Sequence, residues 1–195
     1  GGGGFCGEVI SLLQYNKKIN ILGYVDKKKT DYFDINYLGS DEELEKLIRK
    51  YSIVNFFVSI GNPYIRKKCF KICLKLKLKP INIIDEQSSI FSFIASHGII
   101  AYPNATIMNN VKIGEGVILN ANSSIGHDSI IGSFSNIGPG ANIAGKVVIG
   151  SQSVIGIGAS IRDNINIGKK VTIGAGSVVV KNVEDNKIVF GNPAK

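Results

Sequence analysis

Between Ala95 and Lys181 the chain repeats every six residues without interruption. In register, an aliphatic side chain falls at Ile107, Ile113, Leu119, Ile125, Ile131, Ile137, Ile143, Ile149, Ile155, Ile161, Ile167, Ile173 and Val179. Four residues after each comes a small or β-branched one, from Val111, Val117 and Ser123 through to Val171 and Ser177, and Gly commonly follows the aliphatic directly, as at Gly114, Gly126, Gly138 and Gly150. A six-residue period suits neither a helix of 3.6 residues per turn nor a hairpin, but it suits a chain that turns a corner at each repeat, the hexapeptide pattern of a parallel β-helix. Each aliphatic then points into a prism, the small residue fills the space beside the corner, and Gly permits the tight backbone. Three short sides close one coil, so the run predicts about four to five stacked coils.

The rest of the 195 residues leaves room for one more small domain. A net charge of +8 comes almost wholly from Lys, with Arg only at Arg49, Arg66 and Arg162. Nucleic-acid binders cluster Arg with aromatics, so the charge reads as a solvated surface and no nucleic-acid partner is expected. No apolar run approaches the roughly 18 residues of a membrane span, and no signal peptide is visible. Cys6, Cys69 and Cys73 make an odd set without metal-type partners; reduced thiols in a cytoplasmic protein are expected, with Cys69 and Cys73 on a buried helix face, and no metal.

Residues 1–86 alternate apolar runs with helical patterns, which predicts a small parallel α/β domain. Gly1 to Gly4, with Phe5, enter a helix carrying Val9, Ile10, Leu12 and Leu13. Such a turn either presents backbone N–H groups to a phosphate at a helix N-terminus or is simply tight. A strand should precede it, and the first strand of the domain is expected upstream of Gly1. Ile19 to Val25 reads as a strand ending at Asp26, where an acid in a dinucleotide-binding unit takes a ribose hydroxyl. Ser40 and Glu43 form a capping box ahead of a helix, and Ile53 to Ile60 reads as a strand covered on both faces that ends at Gly61 and Asn62. Pro63 then starts a helix, and Ile81 to Ile84 makes a last strand. Gly3, Gly4, Asp26, Gly61 and Asn62 would converge at the carboxyl ends of these strands, unless the crevice is empty and the domain only docks. The coils follow over 87–185, and 186–195 forms a tail that leaves the repeat. His97, at the entrance, reads as structural or surface.

Within the coils the informative departure is Gly126, His127, Asp128, which puts an imidazole and a carboxylate at the two corner positions of one repeat, facing outward. An imidazole, with an ordinary pKa of about 6.5, serves as a general base at neutral pH, and a neighbouring carboxylate raises its basicity. The bland alternative is a surface corner. About eighteen residues on, one coil later, Gly145 stacks near His127 and could offer a backbone N–H to an oxyanion.

The repeat run, Gly126 to Asp128, Ala144 with Gly145, and the Gly191-Asn192-Pro193-Ala194-Lys195 ending together resemble the hexapeptide-repeat acyltransferases. The glycine-rich front end with Glu8 and Val9, and the strand end Ser59 to Asn62, are similar to the NeuD/PglD-like branch, whose members acetylate sialic acid or nucleotide-linked amino sugars. That resemblance implies an N-terminal Rossmann-like α/β domain followed by a left-handed parallel β-helix, assembled as a homotrimer with acetyl-CoA in the groove between neighbouring subunits. It implies His127 as base, Asp128 tuning it, and the Gly145 N–H holding the tetrahedral intermediate. Gly145, Ile157, Gly174 and Ala175 would line the coenzyme groove, while Gly3, Gly4, Phe5, Asp26, Gly61 and Asn62 would hold the nucleotide part of the acceptor. Two departures concern the acceptor and the coenzyme: Phe5 and Cys6 stand where some relatives carry a His, and Asn136 stands where a second His touches the coenzyme. The implied reaction is N-acetylation of the 4-amino group of a nucleotide-linked deoxysugar. O-acetylation of a sialic acid and a non-catalytic structural prism are the alternatives; a carbonic anhydrase-like site would want more His than His97 and His127.

Overall fold

The computed structural model describes residues 3–16, 19–30 and 34–195, and it divides into two compact units, Gly1–Ile81 and Asn82–Lys195.

In the first unit, α1 (Gly4–Asn16) is followed by β1 (Tyr24–Val25), β2 (Tyr37–Gly39), α2 (Leu44–Tyr51), β3 (Asn55–Phe56), α3 (Pro63–Lys75) and β4 (Lys79–Pro80). The apolar positions of α1 face inward: Cys6, Val9, Ile10, Leu12 and Leu13 are all buried. Two parallel ladders form, β1 with β2 and β3 with β4, so the α/β class holds while the strands are much shorter than the apolar runs suggest. Of the run Ile53 to Ile60, only Asn55 and Phe56 form a strand, flanked by bonds from Lys79 N–H to Val54 O and Ile81 N–H to Phe56 O; the remainder joins no ladder. Pro63 occupies the first turn of α3 as expected, because its missing N–H is not needed there. Asn62 caps that helix, its Oδ1 accepting from Tyr64 N–H at 3.0 Å and Ile65 N–H at 3.1 Å. The Ser40 N–H donates to the Glu43 carboxylate at 3.4 Å ahead of α2.

The second unit is a three-sided prism of two-residue parallel strands. Its first face stacks Ile83–Ile84, Ile100–Ala101, Ile118–Leu119, Asn136–Ile137, Val154–Ile155, Thr172–Ile173 and Ile188–Val189. The second runs from Ser89–Ile90 through Ser124–Ile125 and Asn142–Ile143 to Val178–Val179, and the third from Lys112–Ile113 to Asn166–Ile167. Four strands on the third face mark four complete coils, with partial coils at each end. The ends extend beyond the repeat run: Ile83–Ile84, expected in the α/β unit, pairs with Ile100–Ala101, and Ile188–Val189 of the tail pairs with Thr172–Ile173. The last residues then fold back, Ala194 N–H donating to Val178 O at 2.8 Å.

Every aliphatic of the period is at most 8 % exposed, and they form one continuous core with the small residues four positions on. Most buried serines of that second set close hydrogen bonds between coils, Ser123 being the one whose buried hydroxyl finds no partner among the described residues. Ser135 donates to Gly150 O at 2.9 Å and Ser153 to Gly168 O at 2.8 Å. The glycines after the aliphatics serve a purpose different from the one expected. Left-handed backbone falls two residues later, at the second corner position, where Asn110, Asp128 and Lys146 have φ of 57°, 60° and 58°. Gly126 is needed because a Cβ there would lie 2.5 Å from Gly145 N of the next coil.

Candidate active site

His127 and Asp128 occupy the corner between the second and third faces. Their backbones are tied to the coils on either side: Asp128 N–H donates to Asn109 O at 3.2 Å, and His127 O accepts from Lys146 N–H at 2.8 Å. As expected for corner positions, both side chains reach solvent, at 53 % and 38 % exposure. His127 Nδ1 lies 2.7 Å from Asp128 Oδ2. An ionised carboxylate only accepts, so this contact selects the tautomer with the proton on Nδ1 and leaves Nε2 as a proton acceptor. The other carboxylate oxygen, Oδ1, accepts from Asn110 Nδ2 at 2.6 Å, one coil below. The hydrogen bond to His127, then that to Asn110, hold the Asp128 carboxyl below the usual range, with Lys146 adding a smaller attraction.

Gly145 stands one coil above. A Cβ built on it would lie 2.6 Å from His127 Nε2, so the imidazole covers the Gly145 Cα and the absence of a side chain is what admits the ring. The first corner residue makes no use of its N–H within the coil, which is why Pro103 and Pro139 can stand in that register elsewhere. The Gly145 N–H is likewise unused in the ladder.

The remaining predicted residues lie elsewhere. Asn136 is on the first face between Ile118 and Val154, and Ile157, Gly174 and Ala175 are at the corner between the first and second faces, on successive coils. That edge is short of side chains: a Cβ on Gly140, Gly158 or Gly176 would meet nothing within 4 Å, and Ile157 is 62 % exposed. Within one chain the second face separates this edge from His127, so one protomer does not bring the two sets together.

In the first unit, Gly1 and Gly2 lie outside the described residues. Gly3 O accepts from Cys6 N–H at 2.8 Å, Gly4 opens α1, and Phe5 is half-buried on it. Asp26 follows β1, with Oδ1 accepting from Lys27 N–H at 2.6 Å. Gly61 O and Ile60 O both accept from Arg66 Nη1 at 2.8 Å. Arg66 is 1 % exposed and burial lowers its pKa to about 10. Sequence reading assigned no role to this clamp on the Gly61 loop, nor to Asn110, although the eighteen-residue step that led to Gly145 also leads from Asp128 back to Asn110. His97 is exposed, its carbonyl accepting from Gly116 N–H. Cys6 is buried, while Cys69 and Cys73 are half-buried; burial raises both of their thiols, that of Cys73 to about 11, so neither is an activated nucleophile. Among the described residues no group of His, Cys and carboxylates is arranged for a metal, and no helix is long and apolar enough to cross a membrane.

The prism of hexapeptide coils and the outward His–Asp pair on one edge are the arrangement expected of a left-handed β-helix acyltransferase. Residues 1–73 match the PglD N-terminal domain and residues 110–145 the bacterial transferase hexapeptide (six repeats). A perosamine N-acetyltransferase from Caulobacter crescentus, solved with CoA and GDP-perosamine, is 26% identical over 100% of this chain and 93% of its own, with a TM-score of 0.94. The acetyltransferase domain of PglB from Neisseria gonorrhoeae, solved with acetyl coenzyme A, is 27% identical over 100% of this chain and 95% of its own, with a TM-score of 0.91. WeeI from Acinetobacter baumannii, 24% identical over 100% of this chain and 96% of its own with a TM-score of 0.87, shares the fold. Among curated protein sequences, none matches significantly. The chain is thus an acyltransferase of hexapeptide-repeat build whose front unit matches the PglD N-terminal domain.

Proposed function

We propose that the protein acetylates the 4-amino group of a nucleotide-linked amino-deoxysugar for a bacterial surface glycan, in the cytoplasm, using acetyl-CoA and His127 as general base. The observation that carries this reading is the arrangement at one corner: an imidazole with Nδ1 on Asp128 and Nε2 over Gly145. Nε2 takes the proton from the attacking amine as the C–N bond forms. The Gly145 N–H donates to the oxygen on which negative charge develops, and the imidazolium returns the proton to the departing thiolate. Acetyl-CoA supplies an activated thioester, and no metal is needed.

The coenzyme is proposed to lie along the edge of Gly140, Ile157, Gly158, Gly174 and Ala175, with Asn136 and Gly145 also against it. An open, mostly apolar strip of that kind fits an extended pantetheine chain. Because one protomer keeps that edge apart from His127, a homotrimer pairing one subunit's His127 corner with its neighbour's glycine edge completes the site. For the acceptor, Gly3, Gly4, Phe5, Asp26, Gly61 and Asn62 are proposed to hold the nucleotide. Asn62 would do so through Nδ2, since its Oδ1 already caps α3.

Incubation with acetyl-CoA and GDP-, UDP- and dTDP-linked 4-amino sugars, beside free and CMP-linked sialic acid, tests the reading by thiol release. Release with a nucleotide-linked 4-amino sugar is expected. Release with sialic acid alone would make this an O-acetyltransferase, and silence with every acceptor would contradict the proposal.

A further inference from the structure

An exposed aspartate beside a histidine is a weak orienting device. Water competes for both oxygens, and the terminal torsion of an aspartate is broad. In this corner the carboxylate is held from the far side as well. Asn110 Nδ2 donates to Asp128 Oδ1 at 2.6 Å while Oδ2 meets His127 Nδ1 at 2.7 Å, so each oxygen has its own partner. The donor is itself fixed. Asn110 sits in the left-handed region with φ 57°, as Asp128 does with φ 60°, and the Asp128 N–H is bonded to Asn109 O in the coil below. Asn104 and Asn122 are related by the same step on the glycine-lined edge, and their amides meet at the looser 3.3 Å. The short contact thus falls where a carboxylate faces an imidazole.

We propose that Asn110 is a positioning residue for acyl transfer: by holding Asp128 Oδ1 it keeps Oδ2 on His127 Nδ1 and so keeps Nε2 unprotonated and aimed over Gly145. The inference rests on His127 being the base, and it assigns a role to a residue that touches neither the acetyl group nor the acceptor. Around the pair, Lys146 on the coil above is the charged neighbour of Asp128, whereas the corner below carries the uncharged Asn109 and Asn110. Loss of the Asn110 donor therefore leaves Asp128 ionised at neutral pH through His127 and Lys146, and the defect is one of orientation. It falls on kcat more than on KM.

Asn110→Gly is the informative variant, since glycine accepts φ 57° without strain and only the amide is lost. With only two histidines in the chain, His127→Ala assigns the imidazole signals in long-range proton–nitrogen NMR, and His97 serves as internal control. The expected result for Asn110→Gly is a shift of His127 from the Nδ1–H form toward a mixture, smaller than that in Asp128→Asn. Turnover with acetyl-CoA and the panel of 4-amino sugars should fall about three- to tenfold with KM nearly unchanged. Asn110→Gly/Asp128→Asn should be no slower than Asp128→Asn alone, because the amide acts only through the carboxylate. Asn110→Asp should instead raise the acid limb of the rate profile, through a second negative charge beside the pair. An Asn110→Gly protein with the wild-type tautomer and turnover, while Asp128→Asn changes both, would overturn this inference and leave the His127 reading intact. Wild-type turnover in His127→Ala would overturn both.

Discussion

A methyl group on Gly145 would sit 2.6 Å from His127 Nε2, so this residue makes room for the ring and, on the proposed reading, also supplies the oxyanion donor. Gly145→Ala should push the imidazole off its position and lower kcat by about 10² to 10³, comparable to loss of an oxyanion donor, with the far-ultraviolet spectrum unchanged. His127→Ala should lower kcat by about 10² to 10⁴ under the same test, and near-normal turnover would remove it from the chemistry. Asp128 makes a second, pH-dependent prediction. Its carboxyl is held below the usual range in the folded protein, so its contribution to stability is present above the ordinary carboxylate pKa and is lost as pH falls through the lowered value. The thermal midpoint of Asp128→Asn should therefore lie below wild type at neutral pH and converge with it in acid. A gap that persists at low pH would contradict this, because asparagine tolerates the left-handed corner at φ 60° and backbone strain cannot supply it.

At the scale of a coil, the six-residue period set the core, since a residue that recurs on every side of a closed prism can only point inward or outward. Ile137, 0 % exposed in the middle of the stack, should cost about 2–5 kcal/mol on truncation to Ala, read by urea unfolding followed at fixed wavelength; a loss below 1 kcal/mol would mean that the core relaxes around the gap. The same period located His127, Asp128 and Gly145 on one edge before any coordinates. It did not reveal why Gly126 is glycine, because the close approach of the next coil is a property of stacking and leaves no mark on local pattern. Asn110 was hidden for a related reason. Asn at a left-handed corner is ordinary in this chain, as at Asn122 and Asn164, and Asn164 also donates to a carboxylate, that of Asp163; what distinguishes Asn110 is that its carboxylate partner also meets an imidazole. In the first unit, hydrophobic runs overstated the strands: apolar side chains at Val58 and Leu78 are buried without their backbones joining a ladder. Arg66 is the converse case, a charged residue in a helical pattern that is buried because two loop carbonyls, of Ile60 and Gly61, require its donors.

The second unit carries an imidazole at one edge of the prism and an open glycine-lined edge across the second face. On the proposed reading, acyl transfer happens where these edges of two neighbouring subunits meet, so neither edge is sufficient in its own chain. Mixing two inactive proteins tests this most directly. His127→Ala lacks the base, and Ala175→Trp would block the coenzyme edge; each alone should have turnover near background. In trimers assembled from equal amounts of both, one interface in four on random assortment joins an intact His127 corner to an intact neighbouring edge, so roughly a quarter of wild-type activity should return. Mixed trimers, verified by mass, that stay as inactive as their parents would contradict the shared site.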